Sequence, residues 1–206
     1  MFDDNDLNAM FGFGSTDPIS VGLVGNTVYV NALVGFDGNG VDDPIGNTTY
    51  RETVLNGIPQ YWNGTYSQIG LTMSVVVADA GNPNTVVASG RNDLRFTINN
   101  TSGTNGMTGG SWHSYNDPGN IHLYNNNYSV ADQSWDAAHE FGHALGIGDL
   151  YTDPVLSQQY PGSIMNNNSP RTVNATYMDI NMVLRAHSQN AWQVWPNNPT
   201  GTGFPF

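Results

Sequence analysis

The chain has 206 residues, no cysteine, and 17 acidic residues against five basic ones, which gives a formal net charge of -12. This charge argues against nucleic acid and anionic membrane surfaces as partners, because both bind clustered cations. The absence of cysteine excludes a disulfide framework and a cysteine nucleophile. No stretch reaches the roughly 18 apolar residues of a membrane span, so we expect no membrane-spanning segment.

Composition also bears on the source and location of the protein. Secreted eukaryotic domains more often carry disulfides, so the lack of cysteine favours a bacterial source. The first residues are acidic where a signal peptide would be basic. We therefore expect a bacterial protein that is secreted as a mature chain, with delivery into a target cell as the alternative route.

Two apolar runs near the beginning of the chain predict a β-hairpin. Residues 19–24 and 27–34 flank Gly25 and Asn26, a pair that favours a tight turn. Residues 1–18 show no such pattern, and we expect an irregular arm there.

The loop after the hairpin is rich in Asp, Asn and Gly. Its composition resembles that of a calcium-binding loop, although the spacing is not that of an EF-hand. Calcium binding and a plain turn therefore remain alternatives for this loop, and the candidate calcium ligands are Asp37, Asn39, Asp42 and Asp43.

The middle of the chain predicts a helix followed by strands. Residues 48–62 fit a helix, because Thr48 or Thr49 can cap it and Glu52 lies in its first turn. Pro59 predicts that this helix kinks or ends early. Apolar and β-branched runs then predict three strands, at residues 71–78, 94–98 and 121–124.

The last third of the chain predicts two helices. Ser129 and Asp132 have capping-box spacing and begin a helix over 129–145, which Gly146 is placed to end. A long loop follows, and apolar spacing predicts a final helix over 174–187. The segment 191–206 is rich in Pro and Gly; it either packs back through its tryptophans or extends away.

The most informative segment of the chain is HEFGHALGIGD, residues 139–149. Residues four apart on a helix share one face, so His139 and His143 can bind one ion together. Glu140 lies beside that face, within reach of a water molecule near the ion. Gly146 allows the chain to turn, and Asp149 then stands where a third ligand can fold back. Three protein ligands and one open position are typical of a catalytic zinc.

This segment resembles the metzincin signature H-E-x-x-H-x-x-G-x-x-H, with Asp149 in place of the last histidine. Its flanking residues are similar to the active-site helix of matrixins and serralysins, and the aspartate resembles the snapalysin type. The resemblance implies a methionine turn beneath the metal, for which Met165 is the candidate. Some metzincins have a tyrosine two residues after that methionine; here the position is Asn167, so such a role is not supported.

The resemblance implies an α+β, metzincin-like zincin fold with a twisted mixed sheet, an active-site helix and a small C-terminal subdomain. The catalytic domain would span 19–190, with a cleft between 19–146 and 147–190, and 191–206 would form a tail. A substrate peptide would pair with the edge strand formed by Ile121, His122, Leu123 and Tyr124.

The sequence thus predicts a zinc-dependent endopeptidase, a monomer that acts on protein or peptide substrates with Glu140 as general acid and base. Its cofactor is Zn²⁺, with Ca²⁺ as a second candidate. Two alternatives remain: a delivered toxin or effector protease with a narrow protein target, and a non-catalytic zinc-binding module. Asp153 and His122 compete with Asp149 for the role of third ligand.

Overall fold

The structure, a computed structural model, describes residues 18–38, 40–81, 93–99, 120–124, 129–166 and 171–195. These residues form a mixed α+β fold with one six-stranded mixed sheet, a two-stranded ribbon and four α-helices. The α+β class predicted from the sequence is therefore confirmed. None of the helices in these ranges is long and apolar enough to cross a membrane.

The sheet contains the predicted hairpin and strands. Its strands are β1 (Ile19–Val24), β2 (Thr27–Gly38), β5 (Gly64–Tyr66), β6 (Leu71–Asp79), β7 (Leu94–Asn99) and β8 (Asn120–Tyr124). The order is β5-β6-β2-β7-β8, with β1 also paired to β2. Strands β6, β2, β7 and β8 run parallel, whereas β1 and β5 pair antiparallel. The short ribbon consists of β3 (Pro44–Ile45) and β4 (Thr48–Thr49).

The helices lie between and after these strands. They are α1 (Tyr50–Trp62), α2 (Val130–Ala144), α3 (Pro154–Gln159) and α4 (Tyr177–Gln189), with a 3-10 turn at Leu150–Thr152. Helix α1 packs on β6 and on α2. The buried core contains alternate residues of β2, such as Val28 and Val30, and residues of both helices, such as Ile58 and Phe141.

Three features of the helices differ from the sequence prediction: the effect of Pro59, the presence of α3 and the first residue of α4. Helix α1 continues past Pro59 to Trp62, because its apolar face on both sides of the proline is buried. Helix α3 falls in a region predicted as loop; Asp153 caps it by accepting two backbone N–H bonds. Helix α4 begins later than predicted, because Thr176 forms its capping box.

Helices α1 and α2 cross at a point where one residue must be glycine. A Cβ built on Gly57 would lie 2.7 Å from the Cα of Ser134 and 2.8 Å from its carbonyl oxygen. Both of these are backbone atoms and cannot rotate away. The close approach of the two helices therefore depends on Gly57, and it sets the position of the helix that carries both histidines.

We expect Gly57→Ala to lower the free energy of unfolding by about 1–3 kcal/mol, the usual cost of overpacking. The direction of the change in unfolding free energy is informative, because alanine is favoured over glycine by about 1 kcal/mol inside a helix that has room for it. A decrease therefore indicates that this helix has no room for the added methyl group. Urea denaturation of both proteins measures the difference. Gly162→Ala is the matched control, since nothing lies within 4 Å of a Cβ there. Equal stability of the two variants would contradict the close approach.

Candidate metal centre

Helix α2 presents two histidines on one face. Its first turn is fixed by a reciprocal capping box between Ser129 and Asp132. Its middle is fixed by Trp62 of α1, whose indole N–H donates to the carbonyl of Ala138 at 2.8 Å. His139 and His143 are both buried, with their ring centroids 5.2 Å apart. The i, i+4 spacing therefore places them side by side, as the sequence predicts.

The chain reverses directly after the helix. Gly146 has a φ of 89°, in the left-handed region that glycine adopts without strain. Its N–H donates to the carbonyl of His143 at 2.8 Å, and the N–H of Ile147 donates to that of Gly142 at 3.2 Å. This turn brings Asp149 back towards the two imidazoles.

The three predicted ligands come together. Oδ1 of Asp149 lies 3.3 Å from Nε2 of His139 and 3.2 Å from Nε2 of His143. Two ligand atoms held at about 2.0 Å from a tetrahedral ion are about 3.3 Å apart. The candidate ligand atoms all lie within 4.8 Å of one another, and no other group of three His, Cys, Asp or Glu residues in the described ranges meets this criterion.

The outer nitrogens of both imidazoles are held by backbone carbonyls. Nδ1 of His139 lies 2.7 Å from the carbonyl of Ile164, and Nδ1 of His143 lies 2.8 Å from that of Ile147. A carbonyl oxygen only accepts hydrogen bonds, so each Nδ1 must carry the proton. In the neutral imidazole the lone pair is then on Nε2, which faces Asp149. Such outer bonds orient metal-ligating histidines and raise their basicity.

Two carboxylate oxygens in this cluster have no hydrogen-bond partner among the described residues. These are Oδ1 of Asp149 and Oε2 of Glu140, and both atoms are buried. Oε2 of Glu140 lies 3.9 Å from Nε2 of His143. Buried anionic oxygen is costly unless a hydrogen bond or a cation compensates for it. Two nitrogen donors and a carboxylate oxygen are a ligand set that zinc accepts, so the residues present fit a zinc ion.

The carboxylates of the cluster favour a positive charge at its centre, either a protonated imidazole or a cation. Burial alone would lower the pKa of His139, but the nearby carboxylates of Asp149 and Glu140 outweigh it and raise that pKa to about 9. Burial would raise the pKa of Asp149, yet the close approach of both imidazoles outweighs it and holds that pKa below its usual value. Burial raises the pKa of Glu140 against the opposing effect of both imidazoles.

Aromatic rings enclose the His139 imidazole. Trp135, one helical turn earlier, stacks on it with a centroid distance of 5.3 Å and an interplanar angle of 25°. Tyr151 stacks at 6.5 Å and 21°. Burial, followed by the charge of Asp149, raises the pKa of the Tyr151 phenol. These rings restrict the orientation of the histidine and limit the access of water.

Met165 lies directly against α2 in the turn that helps to support the site. A Cβ at Gly142 would collide with the Met165 sulfur, so the methionine packs on bare helix backbone between the two histidines. Its carbonyl accepts the N–H of Leu150 at 2.9 Å, and its own N–H donates to Ser163 Oγ at 3.1 Å. These contacts place Met165 against the helix that carries both histidines, and its role as the methionine of a metzincin-type turn stays a prediction.

The turn containing Met165 is anchored to α4 by a buried carboxylate. Ser163 Oγ donates to Asp179 Oδ1 at 2.6 Å, while the backbone N–H and hydroxyl of Thr176 both donate to Asp179 Oδ2 at 2.7 Å. One side chain therefore caps α4 and holds the turn that supplies the Ile164 carbonyl to His139.

Arginine side chains pair with two of the candidate calcium ligands. Arg51 donates to Asp42 at 2.7 Å, and Arg95 donates to Asp37 at 3.3 Å. The acidic residues of this loop are absent from the groups able to hold a metal, and Asn39 lies outside the described residues. Each arginine brings positive charge to these carboxylates, and calcium binding by this loop stays a prediction.

The structure describes the side chains of two residues of the predicted substrate strand and of one competing ligand candidate, Asp153. Ile121 and Leu123 are buried core residues of β8, so their side chains are not available to a substrate. The side chains of His122 and Tyr124 lie outside the described part of the structure, as does Asn167. The Asp153 carboxylate caps α3 by accepting two backbone N–H bonds. Its position is therefore explained without a metal ion.

Sequence reasoning missed the groups that orient the ligands. Trp135 lies four residues before His139 on the same helix face, and that spacing could have revealed it. The carbonyls of Ile147 and Ile164 carry no side-chain signal. Of the two alternatives for the tryptophans after α4, the structure has the one in which they pack back: Trp192 stacks on His143 at 5.8 Å and 15°.

Comparisons with protein families and with curated sequences found no match. The fold and the site define the class by themselves: an α+β protein in which His139, His143 and Asp149 lie close enough together to hold one metal ion.

Proposed function

We propose that the chain is a zinc-dependent endopeptidase of the metzincin kind, which hydrolyses peptide bonds in proteins or peptides. The convergence of His139, His143 and Asp149, with Glu140 beside them, carries the proposal. Three protein ligands leave a position on zinc for water or substrate, whereas structural sites use four. The resemblance of residues 139–149 to the metzincin signature supports the same reading. The division of 19–190 by a cleft and the pairing of substrate with β8 stay predictions.

Each residue has a defined task in the proposed reaction. The two imidazoles and Asp149 hold the ion, and a bound zinc ion supplies Lewis acidity, which polarises a carbonyl and acidifies water. Glu140 accepts the proton of the attacking water and returns it to the leaving amine. Its Oε2 is buried and has no hydrogen-bond partner in the part of the chain that the structure describes, so it can receive a proton without breaking a bond seen there. Trp135 and Tyr151 hold the His139 ring in place.

A non-catalytic zinc-binding module with the same three ligands is the rival reading. It would bind the ion but would leave Glu140 without a task, although that buried carboxylate is costly to keep. We favour the peptidase for this reason. Secretion from a bacterium is the proposed setting, and delivery into a target cell as an effector protease with a narrow target is the alternative.

Incubation with a denatured protein, with and without a zinc chelator, tests the function. We expect fragments by mass spectrometry that disappear with the chelator and return when zinc is added in excess. His143→Ala, purified in the same way, controls for contaminating proteases. Protein that binds one equivalent of zinc but cleaves neither denatured proteins nor a peptide library would support the non-catalytic module instead.

A further inference from the structure

The segment after α4 contacts the loop that carries the third ligand. Asn190 ends α4 in the left-handed conformation, with φ 48° and ψ 47°, and is the one described non-glycine residue with positive φ. The N–H of Ala191 then donates to the carbonyl of Ala186 at 3.0 Å. This reversal directs residues 191–195, which we call the C-terminal strap, back towards the metal group.

Three hydrogen bonds join the strap to the ligand loop. The N–H of Gln193 donates to the carbonyl of Gly146, and the N–H of Gly148 donates to that of Gln193, both at 2.8 Å. The indole N–H of Trp195 donates to the carbonyl of Gly148 at 2.9 Å. Gln193 and Trp195 are buried. The backbone between the helix end and Asp149 is thus held from one side by the strap.

The strap also reaches a ligand directly. The Trp192 ring stacks on the His143 imidazole at 5.8 Å with an interplanar angle of only 15°. A Cβ on Gly148 would lie 3.2 Å from Trp192 Nε1, so the loop and the tryptophan are closely packed. His143 is fixed at Nδ1 by Ile147, a residue of the same loop. The strap therefore controls the plane of the imidazole and the loop that holds its outer nitrogen.

We infer that the C-terminal strap is a positioning device for the metal centre, and that Trp192 sets the orientation of His143. A histidine whose ring can rotate loses part of its affinity for the ion, because binding must then freeze that rotation. Outer groups of this kind typically account for about 10–100-fold in metal affinity. The inference rests on the proposed zinc site but not on peptide hydrolysis, since its measure is metal affinity.

Zinc affinity, measured by competition with a chromophoric chelator, tests the strap. We expect Trp192→Ala to weaken zinc binding by about 10–100-fold. Trp192→Phe keeps a flat ring and should restore most of the affinity. Val194→Ala is the matched control, because Val194 lies in the same strap with an exposed side chain, and it should bind zinc like the wild type. The melting temperature of the metal-free proteins separates positioning from stability, and we expect it to differ little between the Ala variants.

The possible results separate three claims: the role of Trp192, the zinc site and the proposed function. Unchanged zinc affinity in Trp192→Ala, or a loss in Trp192→Phe as large as that in Trp192→Ala, overturns the inference. If Trp192→Ala does not fold, Trp192→Leu takes its place, and wild-type affinity in that variant overturns it. A wild-type protein that binds no zinc overturns the metal site itself. A wild-type protein that binds zinc without cleaving peptides overturns only the proposed function.

Discussion

Replacement of Glu140 by glutamine should abolish nearly all peptide hydrolysis while the protein keeps its fold and its zinc. The amide has the shape of the carboxylate but cannot accept a proton from water. General acid–base catalysis typically contributes about 10²–10⁴-fold, so the expected loss of kcat lies in that range, equivalent to about 3–5 kcal/mol of activation free energy. Glu140 is not one of the three converging ligands, which is why metal content should stay near one equivalent.

The chain offers a matched control for this substitution. Glu52 is its only other glutamate, and it lies on the surface at the beginning of α1. Glu52→Gln should keep full activity, because glutamine can also serve in a capping box. Activity is measured on a quenched fluorescent peptide, and zinc by atomic emission on the same samples. Comparable turnover in Glu140→Gln and wild type, at equal zinc content, would remove Glu140 from the mechanism.

Replacement of Asp149 by alanine should cost the protein its metal. The change removes the oxygen that lies 3.2–3.3 Å from both imidazole nitrogens. With two ligands left, the site should release zinc under dialysis that the wild type survives. Activity should fall with the metal content. Asp149→His should rebind zinc, because imidazole and carboxylate ligate it at nearly the same distance, about 2.0–2.2 Å.

Thermal unfolding gives a second measure of the same substitution. A ligand that binds only the folded state at 100 times its Kd stabilises a protein by about 2.7 kcal/mol. Wild-type protein should therefore melt at a higher temperature with zinc, and Asp149→Ala should lose that increase. Asp153→Ala serves as the control: it removes the cap of α3 at a cost of about 1 kcal/mol but should keep the zinc-dependent increase. The reverse pattern would make Asp153 the ligand.

Local signals explain why part of this molecule could be predicted from the sequence. The pair His139 and His143 follows from helical periodicity alone, and the capping box of Ser129 predicts where that helix begins. Gly146 predicts the turn that returns Asp149, and the structure confirms that the three side chains converge. Each of these inferences uses only residues that lie close together in the sequence.

The parts that could not be predicted depend on contacts between distant segments. The Ile164 carbonyl reaches His139 only because Asp179 anchors the preceding turn, and nothing in the sequence spacing indicates that link. Pro59 favours an early helix end locally, but burial of the surrounding side chains outweighs this preference. The pairing of Asp37, in the candidate calcium loop, with Arg95 could not be predicted for the same reason, since Arg95 lies on another strand.

The residues that hold His139, His143 and Asp149 in place come later in the sequence, and this order has a consequence for synthesis. The two histidines and Asp149 leave the ribosome before the residues that hold them, namely Ile164, Asp179 and the C-terminal strap. Chains emerge at about 5–20 residues per second, and early segments can begin to fold while later ones are still missing. A growing chain can therefore form the hairpin and α1 while His139, His143 and Asp149 still lack these contacts. The candidate metal centre therefore has all of its described supporting contacts only after Trp195 has been added.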